Sequence, residues 1–136
     1  MASILKVDTI TGVSTAGSIA VTGEGNSTTT NLQQGLAKVW INFDGQSTIA
    51  TRDSHNVTSI SDDGTGQFST SYTSNMATVG YAASGGHNRS GLSSTTFNND
   101  SVWAATTSSV GHTTADSTNT GRDCDAVMVS ILGDLA

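Results

Sequence analysis

Nowhere does the chain carry apolar residues at helical spacing over three turns, whereas Ala37, Val39, Ile41 and Phe43 alternate with Lys38, Trp40, Asn42 and Asp44. A period of two marks a strand with one face buried, because successive side chains on a strand point to opposite faces. The chain is therefore expected to be all-β, with at most one short helix near Leu32-Gln33-Gln34. Further strands are expected over 47–51, 57–61, 67–73, 76–83, 102–106 and 126–132. Phe68 and Tyr72 share a face, as do Val79 and Tyr81, and Val127, Val129 and Ile131. Asp44-Gly45 supplies one turn, and Asp62-Asp63-Gly64-Thr65-Gly66 supplies the strongest, closing a hairpin. Turn signals at this spacing predict an antiparallel β-sandwich, jelly-roll-like, of about seven strands.

The texture divides into an N-terminal arm, residues 1–31, and a β-sandwich module, residues 32–136. In the arm, short apolar pieces at 4–10 and 18–21 are separated by Gly12, Gly17, Gly23 and Gly25 and closed by the polar tract 26–31. Such pieces read as extended strands too few to enclose a core, so the arm is expected to pack on something else. Residues 84–100 and 107–123 are long, polar and rich in Gly, Ser, Thr and Asn, and read as loops at one end of the module, where binding surfaces usually sit.

Composition sharpens this. Of 136 residues, 12% are charged and 35% hydrophobic, and 42 are Ser or Thr. A lone monomer would have a thin core, which oligomerisation would remedy. The net charge is −6, and Lys6, Lys38, Arg52, Arg89 and Arg122 are scattered, leaving no basic patch for nucleic acid or an anionic membrane. The first residues lack a basic stretch followed by an apolar one, and no apolar run reaches membrane-span length, so a soluble chain without its own export signal is expected. Cys124 stands alone between Asp123 and Asp125; no intrachain disulfide is possible, and the negative neighbours raise its thiol pKa, as suits a small interior residue.

Catalytic patterns are weak, and no enzyme activity and no cofactor are expected. Arg52-Asp53 reads as an ion pair that fixes a loop. Asp53-Ser54-His55 makes no triad, because neighbours on an extended chain face opposite ways. His55, His87, His112, Asp116, Asp123 and Asp125 show no metal-ligand spacing, and no bound metal is expected. The Asn-x-Ser/Thr matches at Asn26, Asn56, Asn88 and Asn99 carry no weight in so Ser/Thr-rich a chain. Trp40 falls on the strand face turned away from the core, so a neighbouring subunit, a loop of the same chain or a sugar must cover it. Ile4, Val7, Ile10, Ile19 and Val21, with Trp40, are the candidates for attachment or oligomer contact. His87, Asn88, Arg89, Asn98, His112 and Asp116 offer donors and acceptors for a hydroxyl-rich glycan, and Trp103, with Tyr81 and Tyr72, an aromatic surface for stacking.

The opening Met1-Ala2-Ser3-Ile4-Leu5-Lys6-Val7-Asp8-Thr9-Ile10 resembles those of tail-fibre-like and other virion structural proteins of marine bacteriophages, including phages of cyanobacteria. Residues 35–45, then 48–57, then Asp63-Gly64-Thr65-Gly66, and the ending Gly133-Asp134-Leu135-Ala136 look like the β-rich C-terminal module of such proteins. The resemblance implies a homotrimeric fibre or spike in the virion, attached by its arm to other tail or capsid proteins, with its module recognising a host-surface receptor such as a glycan. Many such proteins carry a long separate shaft; here arm and module are fused directly, which points toward a short fibre, a tip, or a capsid decoration that stabilises the particle.

Overall fold

The computed structural model describes residues 5–12, 19–22, 29–89, 95–98 and 105–136. In chain order the elements are β1 (Ala20–Thr22), β2 (Thr29–Asn31), the single helical turn α1 (Leu32–Gly35), β3 (Ala37–Asp44), β4 (Ala50–His55), β5 (Val57–Gly64), β6 (Gln67–Tyr72), β7 (Ala82–Asn88), β8 (Thr95–Asn98), β9 (Ser109–Asp116) and β10 (Ala126–Leu132). The protein is all-β, and every pair among the described strands is antiparallel. One four-stranded sheet runs β4-β3-β10-β7 and a second runs β5-β6-β9-β8, while β1 and β2 form a separate two-stranded ribbon.

Alternation decides what the first sheet buries. Val39, Ile41 and Phe43 of β3 stand opposite Ile131, Val129 and Val127 of β10, and all six are buried. Phe68 and Tyr72 of β6 and Val110 of β9 come from the second sheet into the same apolar cluster, joined by Met76 and Cys124. Each such side chain, taken fully out of water, contributes about 1.5–3 kcal/mol, so this shared cluster is what holds the two sheets to each other.

Local chemistry fixes the connections. Between β5 and β6, Gly66 adopts φ +68°, and its N–H donates to the Asp123 carboxylate at 2.6 Å, tying the hairpin to the segment before β10. Between β4 and β5, Asn56 turns the chain at φ +57°. Its side-chain amide donates to the carbonyls of Lys38 and Ser74, both at 3.1 Å, and its oxygen accepts from the Ser74 N–H at 2.7 Å.

Several boundaries differ from those read in the sequence. The strand expected at 47 begins at Ala50, because Ser47 sits at φ +56°, outside the extended region. Residues 76–81 form no strand: Met76 makes one isolated bridge to Leu135, and Val79 is exposed. Strand structure instead starts at Ala82 and runs through Gly85-Gly86 into what reads as a loop. The second expected loop is corrected more strongly, since 109–116 is β9, buried along nearly its whole length. Its polar residues are paired: the Thr114 N–H donates to the Gly66 carbonyl at 2.8 Å, and the Thr114 hydroxyl donates to the Arg122 carbonyl. Of the strand expected at 102–106, residues 102–104 lie outside the described residues, and 105–106 are not strand.

Candidate docking face

The first sheet buries one face and leaves the other open. Across that open face, register aligns His55, Trp40, Ser130 and Ser84 in one row, and Asp53, Asn42, Met128 and Gly86 in the next. Leu132 lies beside Ala82 at one end. Trp40 keeps 37% of its surface exposed and Met128 43%. Beside Met128, Ser130 and Leu132, β7 offers only small residues: Gly86 has no side chain, Ser84 is hydrogen-bonded to Ser130 at 3.0 Å, and Ala82 stands by Leu132. From Trp40 and Asn42 across to Ser84 and Gly86 these rows hold no charged side chain; Asp53 and His55 stand on β4 at the margin. The face ends at a cleft of about 360 Å³ lined by Ala82, Leu132, Tyr81 and Gly133 together with Thr78 and the acidic Asp134.

A second exposed apolar feature lies at the start of the chain. Leu5 is 80% exposed, and Val7 and Ile10 are more than half exposed. Of the other attachment candidates, Ile4 lies outside the described residues, Ile19 is half-buried and its carbonyl accepts from the Leu32 N–H at 2.8 Å, and Val21 is exposed on β1.

The glycan candidates do not share one surface. His112, expected in a loop, is corrected to the middle of β9: it is 1% exposed, its ring 5.8 Å from that of Phe43 and 5.9 Å from that of Phe68. Burial among these rings pushes its pKa down to about 4, so the imidazole is neutral at pH 7. Asp116 is likewise occupied. Its carboxylate accepts from the Thr118 hydroxyl at 2.6 Å, the Thr120 N–H at 3.1 Å and Arg122 Nε at 2.9 Å, which together hold its pKa well below the usual carboxylate range. These bonds build the turn after β9 and leave little of the carboxylate for a ligand. His87 is half-buried opposite Val127, Asn88 is exposed at the end of β7, and Arg89 follows half-buried. Asn98 ends β8 opposite Thr113, and Trp103 lies outside the described residues. Tyr72 and Tyr81 are joined hydroxyl to hydroxyl at 3.1 Å, and the Tyr81 hydroxyl reaches the carbonyls of Thr106 and Ser109, both at 3.0 Å. Tyr72 is buried and offers no stacking surface.

The remaining candidates are structural. Arg52 pairs with Asp44 at 3.2 Å, not with its neighbour Asp53, and also donates to the Asp125 carbonyl, tying the β3–β4 turn to the start of β10. Ser54 stands opposite inward-facing Ile41, while Asp53 and His55 pair with outward-facing Asn42 and Trp40, which separates the Asp-Ser-His string onto two faces. Among the described residues no three His, Cys, Asp or Glu side chains gather as a metal group. Cys124 is buried, and desolvation, more than its acidic neighbours, raises its thiol pKa. Among the described residues no helix is long and apolar enough to cross a membrane.

Met128 and Leu132 went unrecognised in the sequence, although the alternation in 126–132 that turns Val127, Val129 and Ile131 inward also turns these two outward. Compared with protein-family models, curated proteins and solved structures, the chain matches none of them.

Proposed function

We propose that this chain is a bacteriophage virion structural protein of the fibre or spike type, working as a homotrimer in the particle. The phage assignment rests on the resemblance of the opening residues and of the β-rich module. The assembly part is carried by one observation: an exposed apolar segment at Leu5, Val7 and Ile10 coexists with an exposed apolar sheet face at Trp40, Met128 and Leu132 in a chain poor in charge. Surface apolar residues gathered in this way mark contacts with other macromolecules.

We also read the two sheets as a β-sandwich. The shared core supports this, and so does the position of β10 beside β7, with β8 beside β9, the Greek-key order on which jelly rolls are built. Within the virion, two roles are open to such a module. Host-surface recognition would use the end that carries Asn88 and Arg89. Architectural decoration of the particle is favoured by the burial of His112 and the occupied Asp116 carboxylate, which thin out the polar set available to a glycan.

Imaging intact particles with this chain labelled tests the virion assignment; label absent from purified particles overturns it. Asn88→Ala with Arg89→Ala separates the roles. Reduced adsorption to host cells with unchanged melting supports recognition, and unchanged adsorption, with particles fragile to heat once the whole protein is removed, supports decoration.

A further inference from the structure

We propose that the Asp63-Gly64 bond, at the bulge of the β5–β6 hairpin, is a site of spontaneous covalent modification at which Asp63 becomes β-linked isoaspartate. The Gly64 main-chain nitrogen attacks the carboxyl carbon of the Asp63 side chain. The carboxyl OH leaves as water, taking the proton of that nitrogen, and a five-membered imide closes. Water then opens the ring. Addition at the side-chain carbonyl restores aspartate, whereas addition at the main-chain carbonyl breaks its bond to the Gly64 nitrogen. In that second product the chain runs through the Asp63 side chain, one atom longer and unchanged in mass.

Asp-Gly, whose second residue hinders that attack least, occurs twice in the chain, and the fold treats the two copies differently. At Asp44-Gly45 both reacting groups are held. Gly45 is buried, and its N–H donates to the Cys124 carbonyl at 2.9 Å. The Asp44 carboxylate accepts from the Gln46 N–H at 3.0 Å and from Arg52 at 3.2 Å. The Phe68 ring lies against Gly45, so ring closure there requires the turn to open first, which cuts the rate by the fraction open.

At the second copy Asp63 and Gly64 are both exposed. Asp62 stands opposite Phe68 and Gly64 opposite Gln67, so Asp63 is the extra residue of a bulge, outside the ladder register. Gly64 sits at φ +147°, a conformation that glycine adopts readily. The nearest atom that a Cβ there would meet is Gln67 Oε1 at 3.4 Å, the end of a flexible side chain, so there is room around the bond. Ser69 Oγ donates to the Asp63 carboxylate at 2.5 Å, and the Gly64 N–H donates to the Asp62 carboxylate at 3.2 Å. Both contacts are exposed, and water can replace them without disturbing the core. The extra atom of the product enters three residues before Gly66, whose N–H holds Asp123.

The test keeps the full chain warm at neutral pH for several weeks, folded and, in parallel, unfolded in guanidinium chloride. Isoaspartate is then mapped by electron-transfer fragmentation of the peptides. In the folded chain isoaspartate at Asp63 is expected to exceed that at Asp44 by at least about tenfold, and in the unfolded chain the two are expected to agree within about twofold. Asp63→Glu, which would need a six-membered ring, is expected to remove the signal from this peptide and leave melting unchanged. A folded chain with no more isoaspartate at Asp63 than at Asp44 overturns the proposal. So does a preference that persists in guanidinium, because the neighbouring residues and not the fold would then set it. A signal that survives Asp63→Glu overturns it as well, by placing the reaction at Asp62.

Discussion

Phe43 of β3 meets Phe68 of β6 edge to face, their ring centres 5.1 Å apart and their planes at 72°. This pair joins the two sheets, and a single glycine makes room for it. A Cβ on Gly45 would lie 2.6 Å from Phe68 Cζ, and the Gly45 N–H already donates to the Cys124 carbonyl at 2.9 Å, so the turn cannot swing aside.

Packing at this pair sets the first expectation. Gly45→Ala should destabilise the protein by about 1–3 kcal/mol through overpacking, and Phe68→Ala by about 3–5 kcal/mol through the cavity it leaves. Urea unfolding with an unchanged slope would measure both. A Gly45→Ala variant as stable as the original would mean that Phe68 moves freely, contrary to its close fit.

Backbone geometry at the β5–β6 hairpin gives the second. Gly66 sits at φ +68°, and a Cβ there would collide with the Thr114 carbonyl and the Arg122 backbone nitrogen, neither of which is a flexible group. Gly66→Ala should cost more than 1 kcal/mol, roughly the minimum for a side chain forced into left-handed backbone. Gly86→Ala, with nothing within 4 Å of its added carbon, should shift stability by less than about 0.5 kcal/mol. Equal losses at the two sites would contradict this.

Acid should unfold the protein along a defined limb. His112 is neutral in the fold, with a pKa near 4 against 6.5 for an ordinary histidine, so the unfolded chain binds the extra proton between these values. Stability is therefore full above pH 6.5 and falls as pH drops toward 4, by about 3 kcal/mol for a shift of this size. His87, lowered by burial, acts in the same direction. Asp116, held low by Thr118, Thr120 and Arg122, adds a further loss once pH falls below the usual carboxylate range. His112→Phe should flatten the limb between pH 6.5 and 4 in melting scans, and an unaltered limb would assign the acid sensitivity elsewhere.

How much of this could be read from the sequence depends on what each strand buries. In β3 and β10, large apolar residues alternate with others, so the strands, most of their inward faces and the exposure of Trp40 were legible; the alternation fails at the start of β3, where Ala37 is exposed and Lys38 buried, beside the register shift at Ile131/Leu132. In β9, Ser-Val-Gly-His-Thr-Thr-Ala-Asp buries hydroxyls and an imidazole, some of them paired with distant backbone, and no local pattern announces partners such as Gly66 or Arg122. In β7, Ala-Ala-Ser-Gly-Gly-His-Asn has the composition of a loop; it is a strand because β10 supplies its hydrogen bonds. The candidate face inherits this split. Trp40 was visible, while the small residues beside Met128 and Ser130 follow from Gly86 and Ser84 lying next to β10, a neighbour relation between residues far apart in the chain.

Removal of the arm gives the last expectation. Among the described residues no member of the apolar core precedes Val39, and β1 pairs with β2 alone among the described strands. Cutting residues 2–31 should therefore leave the two sheets folded, with melting within about 3 °C of the full chain, the shift produced by a loss under roughly 0.5 kcal/mol in a domain of this size. The same cut removes Leu5, Val7 and Ile10, so the shortened chain should run as a 13.8 kDa chain would after losing its arm, without self-association. Trp40 gives a second reading: in a Trp103→Phe background its emission should lie further to the red in the shortened chain than in the associated full chain if association covers it, because water then replaces the neighbouring copy. A shortened chain that unfolds would mean the arm belongs to the core of its own module, and an unshifted Trp40 emission would mean that association leaves Trp40 uncovered.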